Sequence, residues 1–247
     1  MVIFKKVKKS QNGFTVPEML VALAISSLVM IMIITMYQGQ TTSSSAQQEV
    51  LNMQQNLRLA LYMMERDIMM AGYKVPGQDV TVGITGATAT SITISYMDPL
   101  RLLDDVDNDL DGAVDEMPVP TLGELGEKDG QDNDCDGEVD EINEVVTVTY
   151  RLYDSQGDGD LDLGRQEGCG AIQPVLLNVD QLEFFYQPSA ASPGSVGISI
   201  LARSETPAKG YTDQLTYTPL SGTTVWGPYN DHFRRQLATV TVKCRNL

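Results

Sequence analysis

Apolar residues fall into three successive regimes along the chain. From Phe14 to Tyr37 there are 24 residues carrying a single charge, Glu18. At about 1.5 Å per residue, a helix of that length crosses a hydrocarbon layer of roughly 30 Å. A polar stretch, Gly39 to Ser45, follows as the exit from the membrane. Apolar positions then recur at Val50, Met53, Leu57, Ala60, Leu61, Met64, Ile68 and Ala71. Steps of three and four place these on one helical face, and Gly72 supplies a stop. Met63, Met64, Met69 and Met70 read as packing residues rather than metal ligands. Beyond Tyr73 the period becomes two. Strands are predicted at Val80 to Ile84, Ser91 to Tyr96, Val145 to Tyr153, Val175 to Tyr186, Gly197 to Ala202, Gln214 to Tyr217 and Leu237 to Lys243. One long N-terminal helix on an antiparallel sheet is an α+β fold.

Charge sharpens this picture. Of the 17 bases in the 247-residue chain, Lys5, Lys6, Lys8 and Lys9 all precede Gly13, and no acid does. Without them, 13 bases face 33 acids, a side-chain balance of −20. Such a body repels nucleic acid and attracts cations, so nucleic acid contact is not expected. The lysines ahead of the span put the N-terminus in the cytoplasm and the large domain outside. A secretory signal has a shorter apolar core with its small-residue cleavage site after it. Here the run is longer and the small residue, Gly13, precedes it.

The run Lys8-Lys-Ser-Gln-Asn-Gly-Phe-Thr-Val-Pro-Glu-Met-Leu-Val-Ala-Leu23 closely resembles the leader of type IV prepilins and pseudopilins. The resemblance implies that a prepilin peptidase cuts between Gly13 and Phe14 and N-methylates Phe14. It makes residues 1–13 a cytoplasmic leader, 14–38 the transmembrane half and 39–72 the periplasmic half of one helix, and 73–247 a β-rich domain. It also implies that Glu18 pairs with the N-terminal amine of a neighbouring subunit. The physics agrees, because an ionisable group in an apolar span needs a named partner. Pro17 fits a helix beginning at Phe14, since its missing N–H breaks no bond in the first turn.

Three softer segments are similar to the PilW-type minor pilins and the J-type pseudopilin of type II secretion: residues 58–73, 174–186 and 234–243. That likeness implies a single-pass inner-membrane protein that passes into a cell-surface pilus. Its partners would be other pilins and minor pilins through the N-terminal helix, the prepilin peptidase, and a tip adhesin. The pseudopilin reading stays open beside it, as does a calcium-dependent adhesive module at a filament tip.

Residues 104–141 hold 16 acids and one base, Lys128. Within them Asp107-Asn-Asp-Leu-Asp-Gly-Ala-Val-Asp-Glu116 recurs as Asp132-Asn-Asp-Cys-Asp-Gly-Glu-Val-Asp-Glu141, eight of ten positions being identical. Carboxylates at alternate positions followed by glycine form the front half of an EF-hand-type calcium loop. Asp107, Asp109 and Asp111, and likewise Asp132, Asp134 and Asp136, take positions one, three and five. Ala113 and Glu138 would each give a backbone carbonyl. Asp115 and Asp140 would close the sites, with Glu116 or Glu141 substituting for the missing glutamate at position twelve. Carboxylates about 4 Å apart repel by roughly 4 kcal/mol at an effective dielectric near 20, so a cation or water must separate them. All-oxygen ligands select calcium. The second repeat resembles the MopE-like metal-binding motif, except that Lys128 stands where that motif has a cysteine.

A third run, Asp154-Ser-Gln-Gly-Asp-Gly-Asp-Leu-Asp162, fits either a looser site of Asp158, Asp160 and Asp162 or a plain Gly-Asp turn. Cys135, Cys169 and Cys244 lie in an oxidising compartment, which gives one disulfide and one leftover thiol, with the pairing unread. Pairing Cys135 with Cys169 would staple the insert to the sheet. The single His232 lies near no nucleophile motif, and no enzyme is expected.

Overall fold

A computed structural model describes residues 13, 15–74, 80–97, 132, 135, 137 and 145–247. The chain divides into two units, residues 1–48 and 49–247. Helix α1 is assigned to Val16–Met70, which includes the polar stretch at 39–45.

In the second unit, the predicted helical face is the buried one. Met53, Leu57, Ala60, Met64, Ile68 and Ala71 all lie in the main core, with Leu61, Met69 and Met70 packed at its edge. Burying one such Leu, Met or Ile side chain contributes about 1.5–3 kcal/mol. The helix stops where expected. Gly72 adopts φ +81, and a Cβ there would lie 2.6 Å from Leu247 Cδ2, so both conformation and space exclude a side chain. Asn246 Nδ2 donates to the Met69 carbonyl at 3.1 Å, which satisfies one of the last helical acceptors.

Eight strands follow: β1 (Gly83–Ala87), β2 (Ser91–Tyr96), β3 (Val146–Tyr153), β4 (Asp162–Glu167), β5 (Gln173–Leu176), β6 (Val179–Ser189), β7 (Ser192–Arg203) and β8 (Arg235–Lys243). They form a five-stranded sheet in the order β1-β2-β3-β4-β5 and a three-stranded sheet in the order β6-β7-β8. All pairings are antiparallel, and each strand adjoins its neighbour in sequence. Ile92, Ile94, Val148, Tyr150 and Leu163 from the first sheet share one core with Phe184, Val196, Ile198, Ile200 and Val242 from the second. The fold is α+β, as the change of period implies.

Three predicted strands need correction. The first begins at Gly83 instead of Val80 and ends at Ala87. The segment Val175 to Tyr186 is two strands, broken at Asn178, whose φ is 58 and whose N–H is held by Asp162 Oδ1 at 2.9 Å. Asparagine tolerates that left-handed conformation, and the captured amide is withdrawn from any ladder. Gln214 to Tyr217 is no strand. Tyr217 makes an isolated bridge with Trp226 inside a long connection, and the two pack with Leu201 of β7 in a small second core.

Candidate functional site

Gly13 is exposed, and helical geometry starts three residues later, at Val16. Thr15 is the cap: its carbonyl accepts the first helical bond from Met19 N at 3.1 Å. Both its backbone N–H and its hydroxyl donate to Glu18 Oε2, each at 2.9 Å. A glutamate at the third helical position reaching back to the cap residue is one half of a capping box. The helix therefore begins at Val16 rather than Phe14, and Pro17 still falls in the first turn, where no bond is lost. Phe14, the expected methylation position, lies outside the described residues.

Val16–Gln40 holds 25 residues, its most apolar 18-residue stretch has a mean hydropathy of 2.6, and none of that stretch is buried. At about 1.5 Å per residue the whole segment is about 37 Å long, enough to cross a bilayer core of roughly 30 Å with some tilt. Two of its hydroxyls bond back to the helix. Ser27 Oγ donates to the Ala24 carbonyl at 2.8 Å, and Thr35 Oγ1 to the Met32 carbonyl at 2.9 Å. Polar groups satisfied by the helix itself cost little in hydrocarbon.

In the acidic insert, Asp132 is the expected ligand that the structure describes. Its Oδ1 accepts from Cys135 N at 2.6 Å and its Oδ2 from Gly137 N at 3.0 Å. Asp107, Asp109, Asp111, Ala113, Asp115, Glu116, Asp134, Asp136, Glu138, Asp140 and Glu141 lie outside the described residues. The pattern at Asp132 recurs in the third acidic run. Asp154 Oδ1 accepts from Gly157 N at 2.6 Å and Oδ2 from Gly159 N at 3.0 Å, the same offsets of three and five. The amide of Gly159 leads a set of backbone donors that hold the Asp154 carboxyl below its ordinary range.

The third run thus opens at Asp154, and its expected ligands do not converge. Asp162 is buried and committed to Ser155 and to Asn178 N, Asp160 pairs with Arg203, and Asp158 Oδ1 accepts from Asp160 N at 2.9 Å. Asp158, Asp160 and Asp162 are the parts of a hydrogen-bonded turn. Among the described residues, no three of His, Cys, Asp and Glu gather into a group able to hold a metal ion.

The open cysteine pairing is resolved as Cys135 with Cys169, Cα atoms 5.5 Å apart, with Cys244 free and half-buried. Burial pushes the Cys244 thiol above its ordinary value. The bridge spans 34 residues, a closure that removes about 3–4 kcal/mol of unfolded-chain entropy. It fixes the end of the insert beside the β4–β5 turn. His232 Nδ1 lies 2.5 Å from the Tyr211 carbonyl.

Two charge clusters escaped sequence reading. Asp67, 1% exposed, sits on the core face of α1, where Tyr150 Oη donates to it at 2.7 Å and Arg165 Nε at 2.8 Å. Burial and the neighbouring Asp67 carboxylate push the Tyr150 hydroxyl well above its usual value, so it remains a donor. Arg235, 2% exposed, joins Asp180, fully buried Asp213 at 3.0 Å and Asp231 at 2.6 Å, and lies 3.8 Å from the Tyr229 ring centre. Burial raises the Asp180 carboxyl, whereas the Arg235 bonds hold that of Asp231 below its ordinary range. One signal was available for Asp67. It stands among Ala60, Met64, Ile68 and Ala71 on an otherwise apolar stripe.

An apolar N-terminal helix long enough to cross a membrane, capped at Thr15, together with an antiparallel α+β domain, defines the class. Residues 8–34 match the family model described as the prokaryotic N-terminal methylation motif. No curated protein matches the chain. Among solved structures it is similar to a type IV-like pilin from Thermus thermophilus, with 16% identity and a TM-score of 0.43. That likeness covers 79% of this chain and 98% of the other.

Proposed function

We propose that this chain is a pilin-type assembly subunit, held in the inner membrane by α1 and built into a type IV pilus or a pseudopilus. The observation that carries the reading is the junction itself: an N-terminal methylation motif over residues 8–34, with Glu18 the only charge at the head of a spanning helix. In this reading the peptidase cuts after Gly13 and methylates Phe14, and the body faces the periplasm. Glu18 then receives the amine of a neighbouring subunit. Both Thr15 donors use Oε2, and among the described residues Oε1 has no partner, which suits an incoming donor. The bulky charged insert favours a low-copy minor pilin of the PilW type over a shaft subunit, because repulsion between stacked inserts would act at every repeat.

The test is the mass of the chain recovered from purified filaments and from membranes. A chain beginning at N-methylated Phe14 and found in pili is the expected result; one found with secretion pseudopili assigns the J-type alternative. Retention of residues 1–13 in the filament form overturns the proposal.

The reading includes calcium in the insert. It is supported by the eight-in-ten repeat and by the turn at Asp132, where the first carboxylate already folds the backbone around itself. Calorimetric titration of the full chain in micelles should show calcium binding that Asp107→Ala with Asp132→Ala abolishes. An unchanged titration rejects the metal.

A further inference from the structure

The two sheets have four edges, and three are blunted. β1 is five residues long and bulged between Ile84 and Gly86. β5 has four residues and contains Pro174. The outer side of β6 is occupied, since Phe184 N donates to the Ala89 carbonyl at 2.7 Å and Tyr186 Oη to the Thr88 carbonyl at 3.0 Å. Short length, bulges, proline and cover are the means by which proteins prevent strand addition. β8 has none of them. Its nine residues pair with β7 in unbroken register from Ser195↔Lys243 to Arg203↔Arg235. Among the described residues, nothing bonds the backbone of its other side. Alternate residues therefore present a free N–H and C=O to an incoming strand.

The surroundings of this edge select the occupant. Thr239, Thr241 and Lys243 are exposed, and Arg234 and Arg245 are exposed just beyond the two ends. Lys243 and Arg245 have no ion-pair partner among the described residues, in a body whose side chains otherwise sum to strong negative charge. A second copy pairing antiparallel through β8 would set Lys243 and Arg245 beside the exposed Arg234, like against like. We propose that β8 is a docking edge for an extended, carboxylate-bearing strand of a different protein. The backbone ladder supplies the binding, and Lys243 and Arg245 choose the partner's charge.

The test uses the isotopically labelled full chain in micelles, with three capped octapeptides: alternating Val and Glu, the same peptide N-methylated at alternate residues, and alternating Val and Lys. Saturable binding of the first is expected, with alternate amides from Gln236 to Lys243 exchanging about tenfold more slowly. The N-methylated and lysine peptides should bind about tenfold more weakly. Lys243→Glu with Arg245→Glu should reverse the preference between the acidic and basic peptides while leaving the rest of the amide spectrum in place. Unchanged β8 exchange at saturating acidic peptide overturns the proposal, as does equal binding of the N-methylated peptide. Protection without peptide that grows with protein concentration also overturns it, because a second copy then occupies the edge.

Discussion

Asp67→Ala lowers the unfolding free energy of the second unit by about 3–5 kcal/mol, the usual cost of leaving a buried charge without its partner. The carboxylate is 1% exposed and holds Tyr150 from β3 and Arg165 from β4, so one substitution unties the helix from two strands. Arg165 keeps Glu167 as a partner, but that carboxylate lies on its own strand and does nothing to anchor the helix. Asp67→Asn retains an acceptor for Tyr150 and loses the charge, so it falls between wild type and alanine. Thermal unfolding followed through the single Trp226 reads the effect, a drop of about 10 °C for a domain of this size. A loss below about 1 kcal/mol would mean that water or Glu167 satisfies the donors that Asp67 held. Tyr150→Phe isolates one hydrogen bond and costs about 1–1.5 kcal/mol.

The second large effect concerns assembly. Glu18→Gln and Glu18→Ala should both be cleaved after Gly13 and both reach the membrane, yet enter filaments about tenfold or more below wild type, a difference of at least about 1.4 kcal/mol in docking. The two variants separate two roles of one side chain. Glutamine still offers an oxygen to the Thr15 N–H and hydroxyl, because it serves as well as glutamate at the third position of a capping box. Alanine loses both cap and charge. Equal losses assign the defect to the missing charge, as pairing with an amine requires. Normal incorporation of the glutamine variant, with loss only in alanine, would reject the pairing role and leave a helix cap. The measurement is the ratio of subunit in sheared filaments to subunit in membranes.

How far each feature was legible follows from the range of the interactions that create it. The span, the core face of α1, β2, β3 and β8 were readable because period and composition are local and the apolar signal is dense. β4 was invisible: Asp162-Leu-Gly-Arg-Gln-Glu167 has one aliphatic residue, and its place in the sheet is fixed by pairing with β3 and by burial of Leu163. Asp67 and Arg165 are 98 residues apart, so no window of sequence links them. In the third acidic run a looser site and a plain Gly-Asp turn were both open from sequence. Counting carboxylates favoured Asp158, whereas Asp154 collects the amides, and only backbone geometry tells them apart. The methylation motif over residues 8–34 was legible because such a motif is carried by a short run of linear sequence.

Strand order has a consequence for biogenesis. Within each sheet every strand after the first pairs with the one before it, so strands can be added in chain order. Waiting for a distant partner is required at two long gaps, between Arg203 and Arg235 ahead of β8, and between Tyr96 and Val146, where the insert must clear before β3 can join β2. Lengthening that insert should delay maturation far more than it weakens the finished protein, since loop closure costs grow only slowly with length while the unpaired edge of β2 stays open throughout.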